Sequence, residues 1–115
     1  MKCDPLVHAV RTEPAGVTFD LHLPAELACF AGHFPDVPVL AGVVQIDWAL
    51  HLAAAHLGLV EPETVAMRVK FMRIITPGTA LALRLRHDAP RHRLDFTYHA
   101  DGVLAAQGQI SFAAP

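Results

Sequence analysis

The chain has 115 residues, 53% of them hydrophobic and 17% charged. That length suits a single domain over residues 1–115, and the apolar share excludes a disordered chain, which could not bury enough surface to fold. The formal net charge of −2 says little about partners as a total.

Leu6–Val10 and Val17–Leu23 read as short strands around Glu13-Pro14-Ala15-Gly16. In the second, Val17, Phe19, Leu21 and Leu23 alternate with Thr18, Asp20 and His22, the period of a half-buried strand. Pro24 to Leu40 is broken by Pro24, Gly32, Pro35 and Pro38, which points to a structured loop. From about Ala41 to Leu57 the pattern predicts a helix. The run is too long for a buried strand, contains Ala53-Ala54-Ala55 and stops at Gly58, a C-cap residue, with Pro62 beyond. Ala41 to Val60 is also nearly apolar over about the length of a membrane span. Gln45, Asp47, His51 and His56 lie within it, however, and a carboxylate at mid-span is costly in lipid. The preferred reading is a buried helix of a soluble protein, with no membrane partner.

The rest reads as strands. Val65, Met67, Val69 and Phe71 alternate with Ala66, Arg68, Lys70 and Met72; Leu81, Leu83 and Leu85 alternate with Ala82, Arg84 and Arg86. Pro77-Gly78 and His87–Arg91 supply turns, and Asp101-Gly102 is a two-residue hairpin signal between Leu94–Ala100 and Val103–Phe112. The order is two strands, one long helix and four strands of antiparallel meander. An economical α+β solution is a curved antiparallel sheet wrapped around one long central helix, the hotdog arrangement. Its open edge and incompletely covered helix favour pairing with a second copy.

Cys3 and Cys29 form neither a metal spacing nor a disulfide framework, so a reducing cytoplasm is expected. Met1 to Val10 is interrupted by Asp4, Pro5 and His8, which argues against a signal peptide. Most of the nine basic residues (Arg68, Lys70, Arg73, Arg84, Arg86, Arg91 and Arg93) fall in one stretch that holds a single acid, Asp88. Such a stretch can dock an anionic partner, or can simply be the solvated side of surface strands. His51 and His56 do not share a helical face as a zinc pair would, and His87 and His92 flank a turn without a suitable partner, so no metal is expected. There is no phosphate-binding glycine loop, and the strands lack the aromatic and basic interleaving of a nucleic-acid platform. No cofactor and no nucleic acid are expected.

The informative segment runs from Phe30 to Asp47. Gly32-His33-Phe34-Pro35, then Pro38, Gly42-Val43 and Asp47 fall in the register of a known signature. It resembles that of the 3-hydroxyacyl-acyl-carrier-protein dehydratases of the FabA/FabZ type. Val69-Lys70-Phe71, Arg73 and Pro77-Gly78 look like the same family's following strand and turn, and Val43-Val44-Gln45-Ile46-Asp47-Trp48 is similar to the compact ApeI-like dehydratases of aryl polyene pathways. The sequence departs from the pattern at Ala41, Ile74 and Thr79, and at His51, where many relatives carry a glutamine that supports the acid.

The resemblance implies removal of water from a carrier-bound 3-hydroxyacyl thioester, a hydro-lyase reaction. That reaction needs a base for the C2 proton, an acid for the departing C3 hydroxyl and a donor for the charge that develops on the carbonyl oxygen. His33 suits the base, since neutral imidazole is poised for proton transfer near neutral pH. Asp47 suits the acid if burial keeps it protonated. The backbone N–H groups at Gly42 and Val43, at the helix start, suit the carbonyl oxygen, with the helix dipole favouring negative charge there. His51 is the expected support for Asp47. By resemblance His33 and Asp47 meet across a subunit interface, so a homodimer or higher even oligomer is expected. Phe30, Phe34, Val39, Val43, Trp48, Phe71 and Met72 are candidate acyl-tunnel residues, and Lys70 and Arg73 are candidate contacts for an acidic acyl carrier protein. Taken singly, each of these residues has a plainer reading as surface, helix start or core. The alternatives on the same fold are an acyl-thioester hydrolase, in which the Gly-His-Phe-Pro loop is not expected, and a non-catalytic acyl- or carrier-binding subunit.

Overall fold

The computed structural model describes residues 3–27, 30, 38–59 and 63–113. Two strands, β1 (Leu6–Glu13) and β2 (Gly16–His22), precede helix α1 (Gly42–Leu57). Four more strands follow: β3 (Thr64–Phe71), β4 (Leu81–Asp88), β5 (Arg93–Ala100) and β6 (Val103–Phe112). All six form one antiparallel sheet in the order β1-β2-β4-β5-β6-β3, with α1 on one face. This is the curved sheet around one helix expected from the sequence, a hotdog fold.

Local chemistry accounts for the elements. α1 ends at Gly58, whose φ of 66° is the left-handed conformation of a C-cap, and its N–H donates to the Ala53 carbonyl. The β5–β6 hairpin turns through Asp101 (φ 50°) and Gly102 (φ 81°). Positive φ at both central residues is what a tight hairpin needs for its twist to match that of the strands. The β4–β5 connection is a short 3₁₀ turn, Ala89–Arg91, in which the Asp88 carboxylate accepts from the Arg91 N–H.

One expectation is corrected. The four final strands are not a continuous meander: β4, β5 and β6 are, whereas β3 crosses to the far edge and pairs with β6. The connection over residues 72–80 is too long for a tight hairpin and runs over the sheet end, holding on through the Met72 and Arg73 N–H groups, which both donate to the Ala105 carbonyl.

The core lies between α1 and the middle strands. Trp48, Ala49, Leu52 and Ala53 of the helix face Leu81, Leu83, Leu85, Leu94, Phe96, Tyr98 and Ile110, all buried. Each large apolar side chain so buried contributes roughly 1.5–3 kcal/mol. The opposite sheet face is polar, with Arg68, Gln109, Asp95 and Arg86 in one cross-strand row and Lys70, Gln107, Thr97 and Arg84 in the next.

A second correction concerns the cysteines. Cys3 is disulfide-bonded, where no disulfide was expected; Cys29 lies outside the described residues. Spacing along the chain carries no information on which segments meet in space, so the cysteines do not argue for a reducing compartment. The N-terminal segment is also held from the helix side, where the Trp48 indole N–H donates to the Cys3 carbonyl at 2.9 Å.

Candidate active site

The site is built on the two sides of α1. Gln45, Trp48, Ala49, Leu52 and Ala53 are buried, while Val43, Asp47 and His51 form an exposed stripe one turn apart. Asp47 and His51 line one cleft of about 260 Å³ with Leu50, Ala54, Leu59, Thr64 and Phe112. The role of acid expected for Asp47 depends on its burial in an apolar helix. In the single subunit Asp47 is exposed, because α1 buries its other side against the sheet.

The start of the helix has no side-chain cap: Ala41 has no side-chain acceptor, and the first turn contains no acidic residue. The Val44 and Gln45 N–H groups donate to the Ala41 carbonyl at 3.1 and 3.2 Å. The Gly42 and Val43 N–H groups precede them, and the first amides of a helix have no acceptor within it. Gly42 is required by close approach: a Cβ there would stand 2.6 Å from Cζ of Phe71. The ring that ends β3 thus lies against the helix tip, which joins two residues that the sequence reading singled out separately.

Beside this tip is an uncovered apolar surface. Met67 and Phe71 pair in register with the buried Ile110 and Ala106 and so face the helix side of the sheet, yet they are 47% and 49% exposed. Val43, Val65, Met72 and Ile74 are exposed too. β3 is also a sheet edge.

The remaining candidates are spread out. Phe30 and Trp48 are buried in the core and Val39 is half-buried. Lys70 lies on the polar sheet face, where it shares a cleft of about 390 Å³ with Arg68, Thr97, Gln107 and Gln109. Arg73 is exposed beyond the end of β3. His33 and Phe34 lie outside the described residues.

Two residues escaped the sequence reading. Tyr98, fully buried, donates its hydroxyl to the Gln45 carbonyl at 2.6 Å. Burial, and to a smaller degree the nearby Asp47 charge, pushes its phenol well above the usual tyrosine range. Gln45, also buried, donates its side-chain amide to the Leu40 carbonyl at 3.1 Å. The available signals were faint: a polar residue on the inner side of an apolar helix, and a tyrosine at an inward strand position.

A family model describing the ApeI dehydratase matches residues 9–109. The chain belongs to the ApeI-like dehydratase family. Within the wider group it is 35% identical over 95 residues to the 3-hydroxyacyl-[acyl-carrier-protein] dehydratase FabZ of Lactococcus lactis subsp. cremoris. That match covers 73% of this chain and 65% of the relative, so the matched region spans about two thirds of the relative's length. Among solved structures, a chain of the dehydratase heterocomplex ApeI:P from Xenorhabdus doucetiae superposes with a TM-score of 0.87 at 34% identity, covering 99% of this chain and 100% of that one. The dehydratase domain of PpsC from Mycobacterium tuberculosis superposes with a TM-score of 0.75 over 99% of this chain and 45% of that one. At 21% identity it shows the fold alone.

Proposed function

We propose that this ApeI-like protein removes water from a carrier-bound 3-hydroxyacyl thioester to give the trans-2-enoyl thioester, in fatty-acid or polyene-type lipid synthesis in the cytoplasm. The observation that carries the reading is Asp47 on the outward stripe of α1, one turn beyond an uncapped helix start, in a chain of this family.

In this reading His33 takes the C2 proton, and electron density moves into the thioester carbonyl. The oxygen, becoming negative, is held by the Gly42 and Val43 amides and the positive end of the helix dipole. Asp47, in its protonated form, gives its proton to the C3 hydroxyl, which leaves as water. His51 supports the carboxyl from the next turn. Covering the stripe excludes water, and a second hotdog subunit laid against Val43, Met67 and Phe71 does this while bringing its own His33 to Asp47. The exposed β3 edge supports such pairing, as a homodimer or higher even oligomer. The similar solved chain comes from a heterocomplex, so a related subunit is an alternative partner. The acyl chain is received between Phe71, Met72 and Val39, and Lys70 and Arg73 meet the acidic carrier protein.

Incubation with a 3-hydroxyacyl thioester tests the reading. Loss of water, followed by enoyl absorbance and mass, supports it; free acid means a hydrolase, and unchanged substrate means a binding subunit. His33→Ala and Asp47→Asn are expected to lower turnover by about 10²-fold or more without unfolding the protein. Mixing the two inactive variants is expected to restore part of the activity if the two groups come from different subunits, and to restore none if they come from one.

A further inference from the structure

The proposed reaction leaves unused a chain of buried hydrogen bonds beneath the helix tip. The Tyr98 hydroxyl donates to the Gln45 carbonyl at 2.6 Å. The Gln45 side-chain amide donates to the Leu40 carbonyl at 3.1 Å. The Leu40 N–H in turn donates to the Ile75 carbonyl at 2.7 Å. Tyr98 and Ile75 are fully buried, and Gln45 and Leu40 are each 3% exposed. These bonds tie the first turn of α1 to three places at once: the middle of the sheet, the chain that enters the helix and the crossing between β3 and β4.

This network sits where the helix is otherwise weakest. A helix start frays unless its first amides find acceptors, and here no side chain caps them. Tyr98 grips the backbone from below, on the side opposite the Val43 and Asp47 stripe, and Gln45 spans the junction between loop and helix. Placing polar groups in an apolar core is unfavourable unless they are bonded. The Gln45 side-chain oxygen is buried without a hydrogen-bond partner among the described residues, so this side chain carries a cost in the core. An apolar pair would hold the core as well, but would not fix the height of the first turn above the sheet.

We propose that Gln45 and Tyr98 are positioning residues, which set the Gly42 and Val43 amides at the height where a thioester carbonyl is received. The inference rests on the dehydratase reading for its purpose, and on the three bonds for its geometry. A displacement of about 1 Å at such a site is enough for losses on the order of 10² in rate.

Tyr98→Phe keeps the ring and removes one bond; Gln45→Leu keeps the bulk and removes another. Ile110→Val, in the core away from the helix tip, serves as a control that is destabilised only by the loss of one buried methyl group. Amide hydrogen exchange is measured at Leu40, Val44 and position 45, together with kcat, KM and the infrared carbonyl band of bound trans-2-enoyl thioester. Both variants are expected to speed exchange at those amides about tenfold or more relative to the rest of α1. They are expected to lower kcat about 10- to 10²-fold with KM changed less than threefold, and to weaken the red shift of the carbonyl band. The double variant should lose little more than the worse single one, since both act on one helix end. Exchange that rises evenly along α1, as in Ile110→Val, overturns the proposal, as does an unchanged red shift in an active native enzyme. A native protein with neither turnover nor red shift would sink the dehydratase reading instead, while the exchange measurement still decides whether the two residues hold the tip.

Discussion

Gly42 is held to a hydrogen atom by its neighbour. A methyl group there would meet the Phe71 ring at 2.6 Å, so Gly42→Ala must push aside the ring or the helix tip. Overpacking of this kind costs typically 1–3 kcal/mol. We expect that loss in denaturant unfolding together with a fall in turnover of about tenfold or more; Phe71→Ala in the same chain should recover part of the stability without recovering turnover. If Gly42→Ala left both quantities unchanged, the ring would not be pressed against the helix. Gly42, Asp47 and His51 stood out in the sequence as candidates because they belong to a run with fixed offsets. Gln45 and Tyr98 were not, because the bond that pairs them spans 53 residues and neither type announces a partner at that range.

At the scale of elements, local signals read well and their pairing less so. The helix limits, the Gly58 cap and the Asp101-Gly102 hairpin all follow from short-range chemistry that the sequence displays. The place of β3 does not, since its alternation specifies two faces and says nothing of which strand lies alongside. Its apolar face is left uncovered: Met67 points to the helix side and is 47% exposed. If a second copy pairs there as proposed, a charge on that face should leave the chain folded and stop the second copy from seating. Met67→Lys is therefore expected to lower the mass found by analytical ultracentrifugation and to abolish most turnover, with little change in the far-ultraviolet circular dichroism. An unchanged mass would move the proposed interface off β3.

For the whole molecule, the sequence displayed a curved sheet laid around the long helix α1, because alternation and helical spacing both report on which side is buried. It did not display that Asp47 is open in the single subunit, since a carboxylate in an apolar run is compatible with either side of the helix. Burial of the one tyrosine also shapes the response to base. The Tyr98 phenol is raised in the folded state, so its contribution to stability is complete below the unfolded tyrosine value of about 10 and is lost as pH climbs through the folded value. Melting temperatures followed above pH ~10 should fall more steeply for the native protein than for Tyr98→Phe; parallel curves would mean that Tyr98 ionises without penalty. The bare start of α1 has a consequence of the opposite kind. A serine or aspartate cap is worth about 0.5–2 kcal/mol to a helix, and Ala41 forgoes it. If a thioester is received there as proposed, its carbonyl oxygen becomes the absent cap just as it gains charge, so the scaffold is at its most complete for the brief life of the enolate and slightly undone before and after.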